Sequence, residues 1–305
     1  MAVRPTRHHH DAMRFLTAVI LAACSAAGAQ APATPMIVSA DWLARHLTDP
    51  SVVVLHVVHD TMDFSAGHIP GARELRYESF TTSRDSIGTE LPSAAELRTL
   101  FEKLGLSDNS HVVIYSGMTG MAPMASRAFL TLDYLGLPRI SLLDGAFAKW
   151  RAQGRPVTTQ PTAIVPGHLT VKPRVVTVDA NWVNTHTGHA GYAFIDTRTT
   201  PEYLGTGERG GLRSDGHIAG ARQLEWQQLF ADADSSVFLE PAAIAKLYAE
   251  RSAPGDTLVT YCLVGYRASM TYFGARVAGL PVRLYDGSYQ DWARRKLPVT
   301  KGASP

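Results

Sequence analysis

Hydrophobic residues in this chain form short continuous runs, and the stretches between the runs carry hydrophobic residues at helical spacing. Runs such as VVVLHV (52–57), HVVIYS (111–116) and TLVTYC (257–262) have the length of buried strands. The segments SAAELRTLFEKLG (93–105) and EPAAIAKLYAERSA (240–253) instead place apolar residues three and four positions apart, as helices do. Strands that alternate with helices predict an α/β fold with a mostly parallel sheet that is flanked by helices.

The whole pattern occurs twice along the chain. The segment GHIPGA (67–72) returns as GHIAGA (216–221), and LLDGAFAKW (142–150) returns as LYDGSYQDW (284–292). Between these blocks, the strand VVIYS in the first copy aligns with LVTYC in the second copy. Matched blocks in the same order predict two homologous domains in tandem.

The repeats also predict the domain boundaries. We expect the first domain to cover residues 36–158 and the second domain to cover residues 174–301. The intervening segment 159–173 is rich in Pro, Thr and Gly and has no helical periodicity, which is typical of a linker.

Residues 1–35 are predicted to be a signal peptide and a disordered N-terminus. A basic residue is followed by an apolar run (15–23) that is too short to span a bilayer. Two cleavage sites are open. LAAC (21–24) resembles a lipobox, which would leave Cys24 acylated, whereas AGA (27–29) fits an ordinary signal peptidase. Either site predicts export to a periplasm, where the protein would reach the membrane only through a lipid anchor.

Composition and charge narrow the function classes. Hydrophobic residues make up 45% of the 305 residues, enough for one or two cores, and the formal net charge is only +2. The sequence has no block of Lys and Arg, so a nucleic-acid partner is not expected. Of its two cysteines, Cys24 would be acylated or removed, which leaves Cys262 without a disulfide partner or a zinc-binding cluster. No metal or organic cofactor is implied.

Cys262 stands where a predicted strand ends, and four residues separate it from Arg267 at the start of a predicted helix. Such a loop can turn backbone N–H groups inward as an anion-binding nest, and the helix dipole favours thiolate over thiol. Gly265 permits the backbone angles that a tight loop needs. Arg267 supplies a cation, either for an oxyanion or for bracing the loop. The pattern predicts a nucleophilic cysteine in an anion cradle.

Two other interpretations of this cysteine compete with the nucleophile. A phosphatase or arsenate reductase places five residues between cysteine and arginine, which makes a cradle wide enough for phosphate, and this loop has only four. A buried structural cysteine is the second alternative, because free cysteine is among the most buried residue types. The glycine, the arginine and the helix that follow favour the nucleophile.

Four segments together resemble the rhodanese family: CLVGYR (262–267), GHIAGA (216–221), DTR with EY (196–203) and DGSYQDW (286–292). The tandem arrangement is similar to that of the two-domain thiosulfate and 3-mercaptopyruvate sulfurtransferases. The resemblance implies that a Cys262 thiolate takes sulfane sulfur from a donor as a persulfide and releases sulfite or pyruvate. Cyanide or a thiol then removes that sulfur.

The resemblance also implies which residues bind the substrate. Arg209 and Arg213 lie in a stretch that the first repeat lacks. In mercaptopyruvate-type enzymes arginines of this region hold the substrate carboxylate; the alternative is that both are solvated loop residues. Backbone amides of the loop would cradle the persulfide, and these belong to Leu263, Val264, Gly265, Tyr266 and Arg267.

The first repeat lacks the nucleophile. Ser116 occupies the position of Cys262, so this domain is expected to be non-catalytic and to form a wall of the site. His68 and His217, in the paired GHI segments, are expected to brace loops. Turn positions are expected for the aspartates of the two DG pairs, Asp144 and Asp286.

The donor predicted from the loop is thiosulfate, because Arg267 would add a cation to the rim for a dianion. The alternative donor is 3-mercaptopyruvate. The loop matches neither family pattern, since Leu263 and Val264 are apolar, and Glu202 stands where some thiosulfate enzymes carry an arginine. A different class also stays open: a non-enzymatic module that carries a persulfide for a partner protein.

Overall fold

Each repeat folds around its own five-stranded parallel sheet. The computed structural model describes residues 1–4, 34–85, 87–117, 120–231 and 236–305. Residues 34–305, which contain both repeats, form one compact unit. The predicted signal peptide and Cys24 lie outside the described residues.

In the first repeat the strand order is β1-β7-β6-β2-β3, and all four pairings are parallel. Strands β4 and β5 form a separate antiparallel hairpin. The strands are β1 (Ile37–Val38), β2 (Val52–Val58), β3 (Arg73–Arg76), β4 (Thr82–Arg84), β5 (Ile87–Glu90), β6 (His111–Ser116) and β7 (Ile140–Leu143). The helices are α1 (Ala40–His46), α2 (Thr61–Ala66), α3 (Ala94–Lys103), α4 (Ala122–Tyr134) and α5 (Ala146–Ala152).

In the second repeat the order is β13-β9-β14-β15-β8, again with parallel pairings. The strands are β8 (Thr177–Val178), β9 (Tyr192–Asp196), β10 (Glu208–Arg209), β11 (Leu212–Arg213), β12 (His217–Ile218), β13 (Arg222–Gln223), β14 (Thr257–Tyr261), β15 (Val282–Tyr285) and β16 (Val299–Thr300). The helices are α6 (Ala180–His186), α7 (Thr200–Leu204), α8 (Pro241–Ala249), α9 (Ala268–Val277) and α10 (Ser288–Arg294). The matching orders confirm the predicted α/β fold and its duplication.

The hydrophobic runs explain which elements are central. Every residue of β6 is buried, as expected for a middle strand that is covered on both faces. Helix α4 is buried at every position except its last, because it packs against α9 of the other repeat. Phe129 and Phe273 meet there with ring centroids 4.8 Å apart, and the Tyr272 hydroxyl donates to Asp133 at 2.6 Å. One apolar core therefore runs through both repeats.

The predicted linker has no helix or strand but is anchored to the first repeat. The Gly167 backbone N–H donates to the Glu102 carbonyl at 2.8 Å, and the Leu169 side chain is buried. No helix among the residues that the structure describes is long and apolar enough to cross a membrane.

Candidate active site

Cys262 is the first residue after β14, at the carboxyl edge of the second sheet. The residue is fully buried. Its backbone N–H donates to the Ser288 hydroxyl at 3.3 Å, and its carbonyl accepts from the Tyr289 N–H at 3.0 Å. The Leu263 carbonyl accepts from the Gln290 N–H at 2.9 Å. The start of the loop is thus tied to the first turn of α10.

Gly265 supplies the backbone conformation that the loop requires. Its φ of +79° lies in the left-handed region, which glycine adopts without steric cost. A Cβ at this position would lie 2.9 Å from the Asp286 carbonyl oxygen, so a side chain does not fit. The Gly265 carbonyl accepts from the Ser269 hydroxyl at 2.9 Å, which links the loop to α9.

Arg267 braces the loop through a buried ion pair. Both terminal nitrogens of its guanidinium donate to the Glu202 carboxylate at 2.7 Å. Burial by itself raises the pKa of Glu202, but the hydrogen bonds and charge of Arg267, together with Thr199, lower that pKa to about 2. Of the two roles that the sequence left open for Arg267, this geometry supports bracing. Its charge is matched by Glu202, so Arg267 by itself does not select between a dianionic donor and 3-mercaptopyruvate.

A second buried ion pair lies beneath the same edge of the sheet. The Arg198 guanidinium contacts the Asp196 carboxylate at 2.6 Å and lies 3.9 Å from the centroid of the Tyr289 ring. It also donates to the Ser214 hydroxyl and the Gly216 carbonyl at 3.0 and 2.8 Å. Asp196 and Arg198 therefore support the neighbouring loop at Ser214 and Gly216.

The first repeat reaches the loop through residues that the sequence did not single out. The Thr89 hydroxyl, at the end of the β4–β5 hairpin, donates to the Val264 carbonyl. Arg127 of α4 is fully buried and donates to the Asp286 carboxylate at 2.7 Å, and a second nitrogen donates to the Thr89 carbonyl. The available signal was a single arginine in the otherwise uncharged helical segment MASRAFLTL (124–132), since a buried cation needs a partner.

Tyr266 also contacts the first repeat. Its ring meets Tyr77 edge to face with centroids 5.6 Å apart, and its hydroxyl donates to the Met121 sulfur at 3.6 Å. A cleft of about 850 Å³ is lined by residues that include Glu90 and Asp286, but Cys262 does not line it. Cys262 instead belongs to the buried core cluster that has members from both repeats.

Arg209 and Arg213 belong to the β10–β11 hairpin, and both side chains are exposed. A Cβ at Gly210, at the tip of this hairpin, would lie 3.9 Å from a Leu263 methyl group. The Arg209 charge acts on Tyr266, where it opposes the rise in pKa that burial causes. The structure thus brings the hairpin to the loop, while the contact of either arginine with a substrate stays a prediction.

A family model described as the rhodanese-like domain matches residues 39–153 and residues 179–295. The chain belongs to the rhodanese family. The two matches contain the middle strands of both sheets, and the second includes Cys262 and its loop. We call the two repeats the first and second rhodanese domains from here on.

Named relatives span nearly the full length of the chain. It is 30% identical to the sulfur carrier protein TtuD of Thermus thermophilus over 88% of this chain and 97% of the relative. It is 29% identical to a thiosulfate sulfurtransferase of Corynebacterium glutamicum, over 87% and 90%. It is 31% identical to a probable 3-mercaptopyruvate sulfurtransferase of Pseudomonas aeruginosa, over 87% and 98%. These relatives support sulfurtransferase activity.

Solved structures agree with the fold. The wild-type structure of EanB superposes with a TM-score of 0.76 at 22% identity, covering 88% of this chain and 69% of that one. At this level of identity the likeness concerns the fold alone.

In the first rhodanese domain the position equivalent to Asp196 is His56. Tyr115 and Tyr261 correspond, because each hydroxyl accepts the N–H of the isoleucine in its GHI segment, at 3.0 and 3.1 Å. Tyr115 lies opposite His56 in the sheet, just as Tyr261 lies opposite Asp196. Neither ring nitrogen of His56 has a hydrogen-bond partner within the described ranges. The charged support behind the active loop is thus missing at this position of the first domain.

The histidines and aspartates that recur in both repeats make matching hydrogen bonds in the two domains. The ring nitrogens of His68 and His217 face backbone carbonyl oxygens at 2.9–3.1 Å, which supports the bracing role. Asp144 and Asp286 follow their strands as expected, and each also accepts a backbone N–H from the opposite domain. The donors are Phe238 at 2.9 Å and Leu91 at 3.0 Å. In the described ranges no cluster of His, Cys, Asp and Glu is arranged to hold a metal ion.

Proposed function

We propose that the protein transfers sulfane sulfur from thiosulfate to cyanide or a thiol acceptor through a persulfide on Cys262. The observation that carries the proposal is the position of this buried thiol, the single cysteine among the described residues. It stands at the carboxyl end of a central strand, in a four-residue loop whose Gly265 adopts a left-handed conformation. Relatives that are named sulfurtransferases support the same chemistry.

The reaction has two displacement steps. The Cys262 thiolate attacks the sulfane sulfur, a new sulfur–sulfur bond forms, and sulfite leaves with the electron pair of the broken bond. The negative charge then lies on the terminal sulfur, where backbone N–H groups of the loop can stabilise it. An acceptor such as cyanide attacks that sulfur, and its departure as thiocyanate restores the Cys262 thiolate.

The alternative donor is 3-mercaptopyruvate, which would release pyruvate from the same step. The exposed arginines of the β10–β11 hairpin, close to Leu263, favour this donor because its carboxylate needs a cation. If the hairpin holds that carboxylate, Arg209→Ala or Arg213→Ala should raise KM for 3-mercaptopyruvate about tenfold. The control variant Arg222→Ala, at another exposed arginine, should keep the KM of the wild type. Equal KM values in all three variants would indicate that Arg209 and Arg213 are solvated loop residues.

A non-enzymatic carrier is a function of a different class, and the relative named as a sulfur carrier protein favours it. A carrier would accumulate the persulfide and pass it only to a partner protein. An enzyme would turn over with free cyanide.

One experiment separates these functions. The full protein is incubated with thiosulfate, its intact mass is recorded, and thiocyanate is assayed after cyanide is added. We expect a gain of one sulfur that disappears with cyanide and is absent from Cys262→Ser. A persulfide without thiocyanate turnover indicates the carrier, and no adduct from thiosulfate or 3-mercaptopyruvate rules out the proposed function.

We further propose that the chain is exported and that Cys24 carries a lipid if the lipobox is used. The support is the apolar run at 15–23 and the LAAC segment. The N-terminal mass of the mature protein, recovered from a membrane fraction or from a soluble fraction, distinguishes acylation at Cys24 from cleavage after Ala29. A mature protein that still begins at the first methionine would contradict export by this signal.

A further inference from the structure

Two buried hydrogen-bond donors beside the active loop lack acceptors. They are the Tyr77 hydroxyl and the Arg127 Nε, and neither has a hydrogen-bond partner in the described part of the chain. Both come from the first rhodanese domain. Each interacts electrostatically with Cys262, and they interact with each other. An unpaired buried donor is costly, so such a pair beside a reactive thiol points to an acceptor that arrives with the substrate.

The Tyr77 hydroxyl is suited to donate. Burial raises the pKa of Tyr77 above its usual value, although the Arg127 cation lowers it in part, so the hydroxyl keeps its proton at working pH. The ring is held in place by edge-to-face contacts with Phe80 and Tyr266, at 5.3 and 5.6 Å between centroids. The donor is therefore both protonated and fixed.

The nearest anionic protein groups do not satisfy it. The Asp286 carboxylate is already engaged by Arg127 at 2.7 Å and by the Leu91 N–H at 3.0 Å. The hydroxyl also makes no hydrogen bond to the Cys262 sulfur in the resting enzyme. A sulfur atom added to Cys262 would lie about 2 Å beyond the thiol sulfur and would carry the negative charge.

We propose that the Tyr77 hydroxyl donates a hydrogen bond to the anionic terminal sulfur of the Cys262 persulfide. This inference rests on the proposed function. When the thiolate attacks thiosulfate, the sulfur–sulfur bond to Cys262 forms as the bond to sulfite breaks, and the charge moves from the thiolate to the terminal sulfur. The hydrogen bond forms only in the loaded enzyme, so it shifts the exchange toward persulfide and sulfite. Tyr77 keeps its proton throughout.

The test compares Tyr77→Phe with Tyr248→Phe. Both variants remove one buried tyrosine hydroxyl, but the Tyr248 hydroxyl, between α8 and α9, already donates to the Thr271 carbonyl at 2.5 Å. The enzyme is equilibrated with mixtures of thiosulfate and sulfite, and the loaded fraction is read from the intact mass. We expect Tyr77→Phe to need about a tenfold higher ratio of thiosulfate to sulfite for half-loading, as loss of a hydrogen bond to a charged group implies. Tyr248→Phe should stay within about twofold of the wild type.

A second measurement, the melting temperature, compares the resting enzyme with the loaded enzyme. Resting Tyr77→Phe should melt at the same temperature as the wild type or higher, because the substitution deletes an unpaired buried hydroxyl. Loading should then raise the melting temperature of the variant less than that of the wild type.

Three results would overturn the proposal. They are equal half-loading ratios in Tyr77→Phe and the wild type, an equal shift in Tyr248→Phe, or a clear loss of stability in resting Tyr77→Phe. A wild-type enzyme that forms no persulfide from any donor would instead refute the proposed function, and this inference with it.

Discussion

Cys262 and Ser116 occupy equivalent positions, yet their surroundings differ in charge. Behind Cys262, Arg267 and Glu202 form one buried pair, and Asp196 and Arg198 form another. At the position of Asp196 the first rhodanese domain has a neutral histidine, His56, whose ring nitrogens have no hydrogen-bond partner among the described residues. An active loop that must hold an anion needs a rigid charged frame, whereas a loop without a nucleophile does not.

We expect Glu202→Gln to destabilise the protein by about 3–5 kcal/mol, because it leaves the buried Arg267 cation without its carboxylate. The double variant Glu202→Leu with Arg267→Met should lose less, since it removes both charges. Urea unfolding followed by circular dichroism gives the free energies. A single variant within about 0.5 kcal/mol of the wild type would contradict the bracing role.

Acid should unfold the protein partly through His56. Burial lowers the pKa of this ring to about 3, so between pH 6.5 and pH 3 the unfolded chain binds a proton that the folded chain does not. Stability is then full above pH 6.5 and falls with decreasing pH by up to about 1.4 kcal/mol per pH unit from this group.

The check is the pH dependence of the free energy of unfolding in His56→Leu. Its slope below pH 6.5 should be shallower than that of the wild type. His111, whose pKa burial lowers to about 4, contributes in both proteins and cancels in the comparison. His189→Leu, at an exposed position, should keep the wild-type slope. Equal slopes in all three proteins would rule out the contribution of His56.

At the scale of elements, each rhodanese domain extends a segment over the loop of the other. The backbone N–H of Leu91, the residue after β5, donates to the Asp286 carboxylate. In the segment before α8, the backbone N–H of Phe238 donates to the Asp144 carboxylate. The first of these segments meets the loop that follows Cys262, the proposed nucleophile, whereas the second meets a domain in which serine stands at that position. Thr89, in that segment, has φ of +64°, a conformation that costs a non-glycine residue free energy. Its contacts with Val264 and Arg127 offset that cost.

We predict that Thr89→Val lowers kcat/KM about three- to tenfold, because the hydroxyl that holds the Val264 carbonyl is lost while the size and branching of the side chain stay the same. Thr89→Ser keeps the hydroxyl and should retain most of the activity. Steady-state kinetics with thiosulfate and cyanide measure both. Loss of activity in Thr89→Ser but not in Thr89→Val would mean that the methyl group, rather than the hydroxyl, matters.

At the scale of the whole molecule, the two domains share one core. Helices α4 and α9 pack together, and Asp133 accepts hydrogen bonds from Arg174 and Tyr272 at 2.6 Å and also pairs with Arg276. A buried carboxylate held from three sides ties the second domain to the first.

Residues 34–305 should therefore unfold in a single transition. We expect circular dichroism and tryptophan fluorescence to give the same urea midpoint, since Trp150 and Trp292 report on different domains. Asp133→Asn should lower both midpoints together. Two separate transitions in the wild type would contradict a shared core.

Much of the architecture was readable from the sequence because it depends on neighbours along the chain. The strand and helix periods, the duplicated GHI and DG segments, and the cysteine followed by Gly265 and Arg267 are local patterns. The structure confirms the α/β fold and its duplication. Trp150 and Trp292 are buried in matching ways, each donating to a proline carbonyl at 2.8 Å.

The sequence by itself determined the two parallel sheets and the place of Cys262 at a strand end. Only the tertiary structure decided that Arg267 is paired with Glu202 and that the first domain holds the loop through Thr89, Arg127 and Tyr77. Arg127 and Asp286 are 159 residues apart in the chain, yet their side chains are 2.7 Å apart. Hydrophobic periodicity predicts which face of an element is buried. Which buried charges contact each other depends instead on how one domain packs against the other.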